Sequence, residues 1–226
     1  MTNNRINWMI CAMICAVIFA GCGGSGSGSK SGLKKNEYLG NLPAIEADSK
    51  LAEKADKEKM EKAKLTGDLG KMMKASTEVE KEKKLRYEKY KVDIEAETQK
   101  FAGKEIPVSY SKAFLEETPY EIASVTLMSG GCLGFIVKAK EDFTVAAYKN
   151  LEECYFKSVA KDGSKIDKAS IILSHQFSSS NTNYTKGHVL RDKSIGVYLG
   201  ISRDPEKWVN FAGIEFITQK EYYDEK

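Results

Sequence analysis

The sequence predicts an α+β protein in which a long charged helix, or a helical hairpin, precedes a mainly antiparallel β-sandwich or small β-barrel. Three observations carry this expectation. Between Glu46 and Lys100 the chain holds 14 acidic and 15 basic residues in 55 and no proline, which suits a solvated helix. From about Lys104 the apolar period drops from near four to two. Eight short apolar runs then follow with no long helical pattern between them.

At 226 residues, 42% hydrophobic and 30% charged, the chain is long enough to bury a core without staples. Its formal net charge of +3 is too small for a dedicated nucleic-acid binder, whose affinity comes largely from neutralising phosphates. No nucleic-acid partner is expected.

Taken in order, residues 1–21, MTNNRINWMICAMICAVIFAG, place one positive charge at Arg5 before an uncharged apolar span of signal-peptide length. Cys11 and Cys15 fall inside that span and read as small hydrophobes of a leader. The span ends in Phe19-Ala20-Gly21-Cys22. This tetrapeptide resembles the lipobox of bacterial lipoproteins, with a bulky apolar residue, two small residues and a cysteine, although Phe19 stands where Leu is usual. The resemblance implies cleavage before Cys22 and a diacylglyceryl thioether on its sulfur. It also implies an envelope address. Gly23 is not the Asp that holds such proteins in the inner membrane, and no acidic cluster follows Cys22 as in the export signals of Bacteroides-like envelope lipoproteins. The expected location is therefore the outer membrane, facing the periplasm, with membrane lipid as the first partner. Residues 22–42 form the lipidated N-terminus and tether; the GGSGSGSKSG stretch at 23–32 spans roughly 17 Å.

The helical region is expected over 43–102, starting near Pro43 and ending near Gly103. Steps of four and three pass through Leu51, Ala55, Leu65, Leu69, Met72 and Val79, and a displaced register continues through Tyr87, Tyr90, Ile94 and Phe101. So narrow a stripe suits a coiled-coil seam and a homo-oligomer built on it. Glu46/Lys50, Glu53/Lys57, Glu58/Lys62 and Glu80/Lys84 are spaced for surface ion pairs worth about 0.2 to 0.5 kcal/mol each. A continuous rod of roughly 80 Å is the first expectation. A hairpin broken at Thr66-Gly67-Asp68-Leu69-Gly70 is the alternative, since each glycine costs a helix about 1 kcal/mol.

The β-rich region is expected over 103–226. Its runs are EIPVSY, EIASVTLM, CLGFIVKA, DFTVAA, CYFKSVA, SIILSHQF, SIGVYLG and GIEFITQ. In the second of these, Ala123, Val125 and Leu127 alternate against Ser124 and Thr126. Val145 to Cys154 could instead be helical, and Asp204-Pro205-Glu206-Lys207-Trp208 reads as a capped turn of helix. Trp208, Phe211, Tyr222 and Tyr223 read as sheet packing or edge cover.

Cys132 and Cys154 are open to two readings. A disulfide closing 23 residues would add about 3.4 kcal/mol in the chain-entropy model, while both also suit separate buried thiols. There is no C-x-x-C pair.

Catalytic motifs are missing: two histidines, His175 and His188, exclude a His-rich metal site, and neither lies in a framed hydrolase or zinc motif. His175 shares parity with apolar neighbours, and only residue types support a Cys154, His188 and Asp192 trio. No catalytic residue, metal or cofactor is assigned. The polar interval from Ser178 to Lys186 is the candidate recognition loop, and Tyr184, Lys186, His188 and Arg191 are its candidate ligand contacts, toward an envelope protein or glycan. The expected function is a non-catalytic binding or structural module presented on a helical stalk. The alternative is a periplasmic enzyme, a hydrolase among them, centred on His188.

Overall fold

The computed structural model describes residues 30–147, 153–173, 183–191 and 197–224, without the side chains of 190 and 191. The leader, Cys22, the tether to residue 29, His175, residues 178–182 of the candidate loop and Asp192 lie outside the described residues, as does the side chain of Arg191.

Two helices open the described chain, α1 (Leu42–Leu65) and α2 (Leu69–Phe101). They pack on each other as a hairpin, so the continuous rod does not form. Gly67 explains the break: its φ of +64° ends α1 in a left-handed residue that only glycine adopts without cost. Asp68 then restarts the helix by accepting the Lys71 N–H at 3.1 Å. Across the seam Lys59 meets Glu78 at 3.0 Å and Glu82 at 3.4 Å. Arg86 holds Asp56, which is only 4% exposed. Of the expected apolar stripe Val79 is buried, but Leu51, Leu65 and Leu69 are exposed. The seam selects a face centred on Asp56 and Arg86, and the stripe drawn for one straight helix rotates away from it.

The base of the hairpin joins the β structure. Leu39, Leu42 and Ile94 belong to the same buried cluster as Phe135, Phe156 and Phe216. Glu46, expected on the surface beside Lys50, is 5% exposed. It accepts hydrogen bonds from the Tyr90 hydroxyl on α2 and from the Tyr198 hydroxyl at 2.8 Å. Burial, with the Glu46 charge adding to it, pushes both phenols well above their ordinary range and keeps them as donors.

A second polar anchor precedes α1. Asn36, 3% exposed, donates from Nδ2 to the carbonyls of Val209 and Phe211 at 2.9 and 2.8 Å. Its Oδ1 accepts the N–H groups of Tyr38 and Leu39 at 2.8 and 3.0 Å. One buried amide therefore satisfies four backbone groups.

The strands are β1 (Val108–Tyr110), β2 (Tyr120–Leu127), β3 (Cys132–Ala139), β4 (Phe143–Thr144), β5 (Glu153–Ala160), β6 (Lys165–Ile172), β7 (Asn183–Tyr184), β8 (Val189–Arg191), β9 (Val197–Tyr198) and β10 (Phe211–Ile217). One sheet has the order β1-β10-β5-β6, with β1 parallel to β10 and the other pairs antiparallel. A second has the order β2-β3-β8, with β9 also paired to β3. β4 and β7 form a small antiparallel pair. This is an α+β fold, and among the described residues none of its sheets closes into a barrel. Phe135 of β3 lies 5.5 Å from Phe156 of β5 and 6.1 Å from Phe216 of β10, so both sheets feed one core.

Local departures from the expected strands have local causes. Ala123 is exposed while Ile122, Val125 and Leu127 are buried, because the β2 register slips between Ile122 and Ser124. That bulge breaks the parity of a clean alternation. Val145–Ala147 makes a single 3₁₀ turn, and Cys154 is in strand β5 rather than at the end of a helix. β6 starts at Lys165, earlier than the apolar SII suggests. The short helix α4 (Pro205–Trp208) forms with Pro205 in its first turn as expected and buries Trp208 against Phe211, but the Asp204 side chain makes no capping hydrogen bond. Two further helices, α3 (Lys112–Glu117) and α5 (Gln219–Asp224), were not anticipated.

Candidate functional site

The described part of the polar interval, from Asn183 on, forms β7 and enters the turn leading to β8. Tyr184 is not a free ring: it is 8% exposed and stacks on Phe143 at 5.2 Å. His188 is exposed, with its ring 5.4 Å from that of Tyr184. Lys186 is exposed, and its backbone N–H donates to Asp142 Oδ1 at 2.7 Å. Arg191 ends β8 opposite Val137. The structure thus brings Tyr184 and His188 together and leaves Lys186 on the same turn.

Cys132 and Cys154 stand as two buried thiols and not as a disulfide. They belong to different sheets, Cys132 opposite Tyr198 and Cys154 opposite Ile171. Complete burial pushes the Cys154 thiol up to about 12, against a smaller lowering by its hydrogen bond with Tyr120. It is therefore a neutral core group at neutral pH, unsuited to act as a nucleophile with His188.

A cavity of about 370 Å³ lies elsewhere, at the end of the β1-β10-β5-β6 sheet between α3 and α5. Phe114 and Tyr120 line it, as do Tyr155 and Tyr223 from β5 and α5. Each pair of rings is steeply inclined: Phe114 and Tyr120 are 5.8 Å apart at 83°, and Tyr155 and Tyr223 are 6.1 Å apart at 64°. Glu117, Glu153 and Gln219 add acceptors, and Lys220 is the only cationic side chain in the lining among the described residues.

Capping chemistry shapes this cavity. Ser111 opens α3 by accepting the Phe114 N–H at 3.0 Å. Its hydroxyl donates to Glu221 Oε2 at 2.7 Å. The same carboxylate accepts the Thr218 N–H at 2.7 Å, and Thr218 Oγ1 in turn accepts the Glu221 N–H at 3.2 Å. Thr218-x-x-Glu221 is thus a reciprocal capping box, tied through Ser111 to the cap of the facing helix. Neither short helix would hold its place alone. The linked caps fix both walls.

Inside, Gln219 Nε2 donates to the Tyr155 hydroxyl at 3.1 Å, and the Tyr155 hydroxyl also pairs with Glu153. Burial and that carboxylate push the Tyr155 phenol well above its ordinary range. The hydroxyl therefore stays protonated at neutral pH.

Burial pushes the Glu221 carboxyl up, but hydrogen bonds from Ser111 and Thr218, helped by Lys157, outweigh it and hold the group below its ordinary value of 4.5. Its stabilisation is therefore fully present above that value and lost as the pH falls through the lower folded one. Glu221→Ala should cost about 1 kcal/mol at pH 7, a typical cap loss. In urea titrations the gap between the two proteins should shrink toward zero near pH 2. A gap that persists there would place the effect outside this carboxylate.

The cavity escaped the sequence reading because its walls come from residues 114–120, 153–155 and 217–223, each inside a different local pattern. Tyr223, read as edge cover, is 55% exposed at its mouth. The capping box was the available signal, masked by the apolar run before it. Among the described residues no group of three His, Cys, Asp or Glu side chains is placed to hold a metal, and no helix is long and apolar enough to cross a membrane. No family model, curated protein or solved structure matches the chain.

Proposed function

We propose that the chain is a lipid-anchored protein of the bacterial cell envelope, held through Cys22 and facing the periplasm from the outer membrane, whose β-rich body binds a small ligand without turning it over. The body is read as a two-layer β-sandwich with the ligand at one end. The observation that carries the binding reading is the ring-lined cavity between the linked caps of α3 and α5. Cavities of this size suit small ligands, and preorganised walls spare the ordering cost of binding.

The helical hairpin supports a modified role for the expected stalk. The backbone N–H groups of Lys30 and Ser31 both donate to the Asp48 carboxylate on α1, at 3.2 and 2.6 Å. The chain at residues 30–31 therefore meets the hairpin at its base, beside the body, and α1 and α2, about 36 and 50 Å long, form an arm rather than a spacer.

The anchor is checked by fractionation and intact mass. Cys22→Ser should move the protein from the membrane fraction to the soluble one and remove the lipid mass, since stable anchoring needs two or more acyl chains. Mature protein that retains Arg5 would overturn the anchor. Ligand-observed NMR with small amines and sugars on the full chain checks binding; saturation by neither class would overturn it.

A further inference from the structure

We infer that the far end of the α1–α2 hairpin docks on an anionic phospholipid surface, a contact separate from both the Cys22 anchor and the α3–α5 cavity. The turn is apolar where a solvated turn is polar. Leu65 closes α1 at 86% exposed, and Leu69 and Met73 in the first turns of α2 are 69% and 65% exposed. Leu65 and Leu69 flank Thr66-Gly67-Asp68, and Met73 follows Leu69 by one helical turn, about 6 Å. The seam does not need these side chains, since Lys59 with Glu78 and Arg86 with Asp56 hold it. Single exposed apolar side chains are ordinary, whereas three around one turn form a patch that calls for a partner.

Charge selects that partner. Lys62 and Lys74, one on each helix, stand about 4.5 and 7.5 Å behind Leu65 and Leu69. Both are exposed and make no ion pair among the described residues, while Lys64 and Lys71 are held by Glu61 at 2.9 Å and Asp68 at 3.8 Å. From Met60 to Ser76, a stretch described throughout, four lysines stand against two acids. An arm entering end-on sets Leu65, Leu69 and Met73 about 5 to 10 Å deep, at the acyl boundary. Lys62 and Lys74 then lie level with the phosphates, their apolar stems along the lipid.

The turn itself is prepared to leave water. The Thr66 hydroxyl donates to the Ala63 carbonyl at 2.7 Å, and the Gly67 N–H donates to the Lys64 carbonyl at 3.1 Å. Asp68 accepts the Lys71 N–H as well as its ammonium. Groups already bonded within the chain lose little on desolvation. A second copy of the chain fits less well, because a two-fold contact between tips would bring the same lysines together from both chains. Every stretch outside the described residues joins the chain in the body or at Lys30, whose N–H meets Asp48 about 25 Å along α1 from Leu65.

The test uses residues 22–226 with Cys22→Ser, which keep every described residue and carry no acyl group. They are sedimented with vesicles of phosphatidylcholine alone or of phosphatidylcholine with an equal part of phosphatidylglycerol. Binding to the mixed vesicles should be at least about tenfold tighter and should weaken as salt is added. Lys62→Gln with Lys74→Gln should weaken it about tenfold, as should Leu65→Ser, Leu69→Ser and Met73→Ser together. Lys83→Gln with Lys84→Gln removes the same charge from exposed positions midway along the arm and should leave binding unchanged. All of these positions are exposed, so thermal unfolding should move little. Equal binding to both vesicles, no binding to either, or equal losses in the two lysine pairs would overturn the lipid contact. Self-association that the serine variant abolishes without vesicles present would give the tip to a second copy instead. Each of these results leaves the Cys22 anchor standing, since no acyl group takes part.

Discussion

Asn36→Ala is expected to destabilise the protein by about 3 to 5 kcal/mol, measured by chemical denaturation. The side chain is 3% exposed and joins Tyr38 and Leu39 on one side to Val209 and Phe211 on the other. Truncation leaves two buried carbonyls and two N–H groups to find new partners, and each unsatisfied buried group costs about 1 to 3 kcal/mol before relaxation. Partial rescue by water keeps the total below the simple sum. Asn36→Asp separates the two halves of the role: the carboxylate still accepts from Tyr38 and Leu39 but opposes the carbonyls of Val209 and Phe211. It should therefore fall at least as far as alanine. A loss under about 1 kcal/mol for either variant would show that the N-terminal segment does not brace β10.

Gly213→Ala is the second large effect, expected at about 2 to 3 kcal/mol with loss of ligand binding. Gly213 is buried where β10 slips register against β5. A Cβ there would stand 2.6 Å from the Pro107 carbonyl oxygen, which accepts the Ile214 N–H at 3.0 Å. The neighbour is backbone, so no rotamer change relieves the overlap. β1 must move away from β10, and it leads directly into Ser111, whose N–H donates to Phe216 O and whose hydroxyl reaches Glu221. Disturbing one strand contact should therefore open the cavity between α3 and α5. Ala212→Gly, next to it on the half-buried outer position, should have a much smaller effect on binding. Unaltered ligand affinity in Gly213→Ala would disconnect the cavity from this strand pair.

The fold was legible wherever a segment's own pattern decides its structure. β3, β5 and β10 begin within two residues of the runs that announced them, because each is an apolar run in the middle of a sheet. The sequence allows a break at Gly67 as an alternative, yet propensity alone does not choose between rod and hairpin. The choice rests on tertiary contacts such as Asp56 with Arg86 and Glu46 with Tyr198, which no helix-internal spacing encodes. The stripe through Leu51, Leu65 and Leu69 failed for the same reason, since a seam of ion pairs does not need apolar residues.

The candidate site was less legible. Tyr184 had the polar neighbours of a loop ring, but it pairs with Phe143 across a two-residue strand contact, and that partner lies 41 positions away. His188 and Lys186 did fall on an exposed turn, as their surroundings suggested. Tyr155 reads as an ordinary strand residue, and only the approach of α5 makes it a cavity wall. Position along the chain says little about which rings converge.

The brace at Asn36 also bears on the order in which the chain can acquire its structure. Its partners, Val209 and Phe211, lie 173 and 175 positions downstream, and β1 must wait for Ile214 to find its parallel neighbour. The α1–α2 hairpin needs only nearby residues and can form early. The sheet containing β10 closes only after residues 211–217 have emerged, so β5 spends that interval with its β10 edge open. Such distant pairings slow folding to the millisecond-to-second range and lengthen exposure to aggregation.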